Sequence, residues 1–442
     1  MKRPAIVFLV MILVLSGCSF PFGEPAEPEN ITLQVNLVQG MDPVTLELNE
    51  VIKNAAEEFE RLHPNVTMNI DDTTSFNNFE ANTLEMIERG EAPDILLAIP
   101  ERISILAEKN VFADLKGLAE SDDIPPDAFY QSFMEQMSRD GEWLAMPFGA
   151  DVFAIFYNKE WFDRANLPYP EGDWTWDQYA DTALELKKAN FMEGVDRFGG
   201  FLDFYILGLE AMILSNGGSL IAPDGSQVSG YLDSPETVSA VQFAVDFYRT
   251  QGLKEKRIPP LNSFNLSNYF LQGNAGMMVA PATNLFYFDQ QLGDRVGIAP
   301  LPGFGGQTKA NVAYSLGIGI PKQSKHIQTA WDFIKMLTIE NNDFSGRITK
   351  WIIPAYKELA AAGRMEESVQ KVFLSEIEHV QSPATYTNPY FGETIRQFEF
   401  NPLLEELFSG EVDVQAQLTL IAKRLDELLE NRRIADEETE SN

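Results

Sequence analysis

Side chains able to do chemistry are few in kind in this chain of 442 residues. It has one cysteine, Cys18, and three histidines, His63, His326 and His379, against 66 aspartates and glutamates. A lone thiol cannot close an internal disulfide, and the three histidines lack the short spacing of metal-ligand motifs. No G-x-S-x-G nucleophile elbow and no H-E-x-x-H zinc pair occurs. The stretch "GFGGQTK" (Gly303–Lys309) is glycine-rich but lacks the Gly-Lys-Ser/Thr ending of a phosphate loop, and reads as a surface turn. "DDTT" and "DGSQVSG" lack the ligand spacing of a calcium loop. Carboxylates remain. A pair about 5–10 Å apart across a glycosidic bond would hydrolyse it. A single carboxylate beside a hydroxylated ligand would bind it, because its two oxygens accept several hydrogen bonds. Composition alone leaves both open.

The elements that would position these groups alternate at first. "ITLQVNLV" (Ile31–Val38) sets Ile31, Leu33, Val35 and Leu37 on one face and reads as a strand. "NEVIKNAAEEFERLHP" spaces Val51, Ala55, Phe59 and Leu62 as a helix stopped by Pro64. "NVTMNI" predicts a strand, "NNFEANTLEMIERG" a helix capped at Gly90, and "APDILLAIP" a strand buried on both faces. The βαβαβ order predicts a parallel sheet with right-handed crossovers, whose ligands lie beyond the carboxyl ends of the strands. Gln39, Gly40, Met41 and Asp42 after the first strand, and Glu101 and Arg102 after the third, are therefore the first candidates.

Further along, Glu142–Phe162 holds two strand-like runs around "PFGAD". Helices follow: one capped by Thr175 with Asp177 in its first turn, and one from Pro235 to Gly252. "GNAGMMVAP", "RVGIAPLPG" and "NVAYSLGIGIP" read as strands, and "HIQTAWDFIKMLT" as a helix. The C-terminal region is helical, and its acidic end, "IADEETESN", is expected to fray.

The start of the chain is of another kind. Lys2 and Arg3 precede an uncharged run from Ala5 to Leu15, shorter than the roughly 20 residues that cross a bilayer. Leu15-Ser16-Gly17-Cys18 resembles the bacterial lipobox. That resemblance implies cleavage before a diacylglyceryl-modified Cys18, two acyl chains making a durable anchor. Ser19–Asn30, with three prolines and three glutamates, reads as a tether. The formal net charge of −33 argues against nucleic acid, which needs basic patches. It suits a neutral or cationic ligand better than an anionic one.

"APDILLAIPER", "MPFGADVFAIFYNKEWFDRANLPYPEGDWTWDQY", "AGMMVAPATN" and "RVGIAPLPGFGGQTKANVAYSLGIGIPKQSKHIQTAWDFIKMLT" occur in an order that resembles the family-1 extracellular solute-binding proteins, the sugar-binding lipoproteins of ATP-driven importers. The resemblance runs from about Ile31 to Glu430. It implies an α/β, two-lobed periplasmic-binding-protein-like fold (type II) with hinge crossings and an interlobe ligand cleft. The crossings would fall near Pro147–Asp151, Gly297–Pro302 and Asn341–Ile353. The implied division is a signal peptide (1–17), a tether (18–30), a first lobe (31–147 and 298–342), a helix-rich second lobe (148–297 and 343–433) and an acidic tail (434–442). The resemblance implies Gln39, Asp42, Glu101, Arg102 and Asp151 as polar ligand contacts, Tyr205 and Tyr390 as stacking aromatics, and Asn284 where a maltose-type protein carries a tryptophan. "WTW" (Trp174–Trp176) is assigned to packing. The expected protein is a monomer without cofactor, metal or catalysis that captures a carbohydrate outside the cell and passes it to the transmembrane subunits of an ABC permease. The rival readings are a secreted glycoside hydrolase or lyase, and a binder of peptide or polyamine.

Overall fold

The computed structural model describes residues 29–40, 43–202, 206–251, 263–305, 309–340, 342–348, 350, 352–362, 367–389, 391, 407 and 413–440. Its strands are β1 (Ile31–Val38), β2 (Val66–Thr74), β3 (Ile95–Ala98), β4 (Ser138–Arg139), β5 (Glu142–Trp143), β6 (Met146–Asn158), β7 (Met277–Pro281), β8 (Val296–Ala299), β9 (Asn311–Gly319), β10 (Ile353–Pro354) and β11 (Val380–Gln381).

The first lobe is built as its hydrophobic pattern demands. β1 lies between β2 and β3 and is parallel to both. Leu33, Val35 and Leu37 are buried, and Asn36 and Val38 are buried as well, so the end of β1 is covered on both faces. The helix Pro43–Leu62 buries Val51, Ile52, Ala55 and Phe59 against this sheet, each such side chain worth about 1.5–3 kcal/mol when fully buried, less for alanine. It ends two residues before Pro64, whose ring disfavours helix in the residue ahead of it. The helix Phe79–Glu88 leads to Gly90 at φ +73°, the left-handed conformation that favours glycine after a helix. Beyond β3 the sheet turns antiparallel, with β9 next to β3 and β6 next to β9.

β6 differs from the two runs expected around "PFGAD": it is one strand of 13 residues. Pro147 and Gly149 look like breakers in sequence, yet the pairing with β9 only shifts register between them. A bulge absorbs the missing N–H of Pro147 and bends the strand without ending it. The first half of β6, Met146–Val152, pairs with β9. The second half pairs with β7, from Phe153 to Tyr157, and with β8, from Ile155 to Asn158. One strand therefore belongs to the sheets of both lobes.

The second lobe is helical around β7, β8 and the end of β6. Thr175 and Gln178 form a reciprocal capping box at the helix Trp176–Ala189. Ser234 caps the helix Pro235–Thr250. Trp176 is buried, and the Trp174 indole N–H donates to the Pro300 carbonyl at 2.8 Å, so "WTW" does pack. The long helix Val414–Glu440 lies on Pro235–Thr250, and Asp426 accepts from the backbone N–H groups of Val228 and Ser229. Helical structure continues to Glu440, through most of the stretch expected to fray.

The start of the third expected crossing, Asn341–Ile353, still packs on the first lobe. The helix Asp343–Ile348 packs on Pro43–Leu62 and Ile327–Thr338 of the first lobe, with Arg347 ion-paired to Glu47 at 2.6 Å. The chain then forms β10 against Gly149 and Ala150 of β6. A Cβ at Gly149 would lie 2.3 Å from the Ile353 carbonyl oxygen, so two crossings touch backbone to backbone here. Gly149→Ala should lower the stability by about 1–3 kcal/mol, read as a fall in the denaturation midpoint. An unchanged midpoint would mean that β10 can retreat from β6 at no cost.

Candidate functional site

The candidates read from the sequence follow the carboxyl ends of β1 and β3. Gln39 follows β1 with an exposed side chain, its backbone N–H held by the Thr74 carbonyl at 2.8 Å. Asp42 lies outside the described residues. β3 runs directly into the helix Pro100–Glu108, so Glu101 and Arg102 occupy a first helical turn rather than a loop.

Arg102 is held by a neighbouring helix. It is 3% exposed, its guanidinium is ion-paired to Glu80 of the helix Phe79–Glu88, and it sits 3.9 Å from the centroid of the Phe76 ring. Consecutive residues of a helix do not face each other, whereas a neighbouring helix can present its carboxylate directly. A buried cation with an ion-pair partner and an aromatic face is firmly placed. Its Nε atom is buried and makes no hydrogen bond among the described residues.

Asp151 sits where β6 changes sheets. The Thr283 backbone N–H donates to its Oδ1 at 2.9 Å, and the Thr283 hydroxyl to its Oδ2 at 2.5 Å. The residue keeps some exposure, but its carboxyl tip is desolvated. Burial pushes its pKa up to about 7, opposed by the bonds from Thr283 and the Ala282 backbone. Both oxygens are thus engaged by the turn after β7. Asn284, in the same turn, is 6% exposed and accepts from the Ser267 hydroxyl at 2.7 Å. Its amide lies in the second lobe's own packing. Tyr205 and Tyr390 lie outside the described residues.

The structure brings together other groups that sequence reasoning passed over. The short helix Ala384–Thr387 packs against Pro100–Glu108 of the first lobe. Its Thr385 hydroxyl donates to Glu210 Oε1 at 2.7 Å, and Glu210 belongs to the second-lobe helix Ile206–Ser215. Tyr386, fully buried, lies 6.3 Å from the ring of Tyr314 on β9. The Ser382 hydroxyl donates to the Ser132 carbonyl at 3.0 Å. A seam of hydroxyls, a carboxylate and two phenol rings therefore joins the lobes. Glu210 had a signal: it is the one charge in the apolar stretch "ILGLEAMILS", and a buried carboxylate there needs a partner. Among the described residues, no three His, Cys, Asp or Glu side chains are grouped to hold a metal ion. No helix among them is long and apolar enough to cross a membrane.

Known proteins share this architecture. The family model described as bacterial extracellular solute-binding protein matches residues 45–340. The chain is 23% identical over 303 residues to the maltodextrin-binding protein MdxE of Bacillus subtilis, covering 67% of this chain and 68% of that one. The solved structure of the sugar-binding protein MalE from Xanthomonas citri superposes with a TM-score of 0.75 at 18% identity, over 92% of this chain and 99% of its own. UgpB from Mycobacterium tuberculosis, solved in complex with glycerophosphocholine, superposes with a TM-score of 0.72 at 18% identity, over 91% and 99%. The fold is thus the two-lobed one of these binding proteins, with a cleft between lobes that share β6. On the family model's match to two thirds of its length, the chain belongs to the bacterial extracellular solute-binding proteins.

Proposed function

We propose that this protein captures an uncharged carbohydrate, an oligosaccharide or a modified monosaccharide, between its lobes and delivers it to an ABC-type import permease. The observation that supports the reading is the two-lobed fold, whose lobes share β6 and meet at the buried seam of Thr385, Glu210 and Tyr386. A sugar presents hydroxyls at its edge and an apolar face, so it is held by polar side chains and aromatic rings from both lobes. MdxE and MalE, whose names specify maltodextrin and sugar, support the ligand class. Closure would follow from population shift: a ligand touching both lobes favours the closed form by the free energy of its second set of contacts. No bond is made or broken in this role.

In this reading Gln39, Asp42 and Glu101 line the first-lobe edge of the cleft, and Tyr205 and Tyr390 provide stacking surfaces. Arg102, Asp151 and Asn284 brace it, since Arg102 is ion-paired to Glu80 and the oxygens of Asp151 and Asn284 accept from protein partners. The anchor is the acylated Cys18 on the outer face of the cell membrane, with Ser19–Asn30 as tether.

Three measurements test these assignments. In a thermal-shift screen of mono- and oligosaccharides, a matching sugar at a hundred times its Kd should add about 2.7 kcal/mol of stability and be recovered intact. Turnover of any glycan, or a response to glycerophosphocholine alone, would overturn the carbohydrate-receptor reading. Cys18→Ala should release the protein into the medium, and retention of that variant at the membrane would rule out the lipid anchor. Asp151 gives a pH signature. Its native carboxyl keeps a proton up to about 7, while the unfolded one loses it near 4, so the native state binds more protons between those values. Stability from this group is complete below about pH 4 and is lost as the pH rises to about 7. Asp151→Asn should remove that slope from the melting temperature over the same window, and a difference between the two proteins that does not change with pH would contradict the assignment.

A further inference from the structure

One buried polar cluster touches all three passages of chain between the lobes. Asn311, the first residue of β9, is fully buried. Its Nδ2 donates to the Phe153 carbonyl and to Glu376 Oε2, both at 2.8 Å, and its Oδ1 accepts from the Phe153 N–H at 3.3 Å and from the Val312 N–H at 2.8 Å. Glu376, also fully buried, lies on the helix Glu367–Ile377, which packs across β6. Its other oxygen accepts from Lys309 Nζ at 2.5 Å.

The position of Phe153 makes this cluster more than a satisfied core. Phe153 is the first residue of β6 beyond the ladder with β9, which ends at Val152 opposite Ala313. It is also the first to pair with β7, opposite Pro281. On the β9 side its N–H and C=O have lost their ladder partner, and Asn311 supplies both an acceptor and a donor, as a peptide group would. The amide thus closes β6 at the residue where it passes from one sheet to the other. Glu376 and Lys309 hold the amide in that orientation. β6 is the first passage, Lys309 and Asn311 end the second, and Glu376 lies beyond β10 on the third.

We propose that the Asn311–Glu376–Lys309 cluster is the fulcrum of the interlobe hinge, fixing the residue at which β6 bends and the resting angle between the lobes. These are positioning residues without ligand contact. The inference rests on the reading that the lobes move against one another, and not on which ligand they enclose.

The test measures interlobe distance in the ligand-free protein. Spin labels at Glu57→Cys on the first lobe and Asp181→Cys on the second, in a Cys18→Ser background, report the distance distribution by pulsed electron paramagnetic resonance. Losing the hydrogen bonds of Asn311 should change the ratio of open to closed forms by about fivefold or more in Asn311→Ala. Glu376→Gln keeps an acceptor for Asn311 but removes the ion pair with Lys309, so it should shift the ratio in the same direction and less. A merely structural role would lower the melting temperature and leave the distances of the folded protein unchanged, and that result would overturn the proposal. Should Asn311→Ala fail to fold, Glu376→Gln and Lys309→Met decide: distributions identical to the parent in both would also overturn it. Because no sugar is present, a failed carbohydrate screen and a failed hinge test remain separate outcomes.

Discussion

The architecture depends on a single strand having two sets of partners. β6 enters as the neighbour of β9 and leaves as the neighbour of β7 and β8. Because backbone hydrogen bonds are obligatory in a buried strand, the change must occur over very few residues, and each group left without a ladder partner needs another. Asn311 meets that need at Phe153, and Thr283 bonds the carboxylate of Asp151 two residues earlier. The two lobes are thereby joined through a short, well-bonded corner of β6. Such corners can absorb a rotation in a few dihedral angles.

The same constraint sorts the charged groups. Arg102, Glu376 and Asp151 have little or no water around their charges, which costs free energy unless partners compensate. Arg102 has Glu80 and the Phe76 ring, Glu376 has Lys309 and Asn311, and Asp151 has Thr283. For the two carboxyls burial outweighs the partners, and it raises their proton affinity. Candidate contacts at a strand end can therefore be engaged in holding the frame around a cleft, while the groups that meet across it come from elements distant in sequence.

Much of the frame was legible because it rests on local periodicity. The alternation in Ile31–Val38, the helical spacing of Val51, Ala55, Phe59 and Leu62, the Thr175 cap and the apolar run of β3 each state their own conformation. β6 was misread because Pro147 and Gly149 are breakers by type, and only the neighbouring β9 makes room for a bulge. The contact of the helix Asp343–Ile348 with the first lobe was not legible, because its pairing with Glu47 spans most of the chain. The ion pair of Arg102 with Glu80 joins two helices, and no local spacing announces it.

By itself, then, the amino-acid sequence determined the element types, the parallel start of the first sheet and the order of segments that marks the family, since these follow from short-range spacing and propensity. Only the tertiary structure decided which strand joins the lobes, which carboxylates are bonded within the frame, and that Glu210, Thr385 and Tyr386 meet at the seam. Those outcomes depend on the partner that burial brings within hydrogen-bond distance, and no local pattern carries that information.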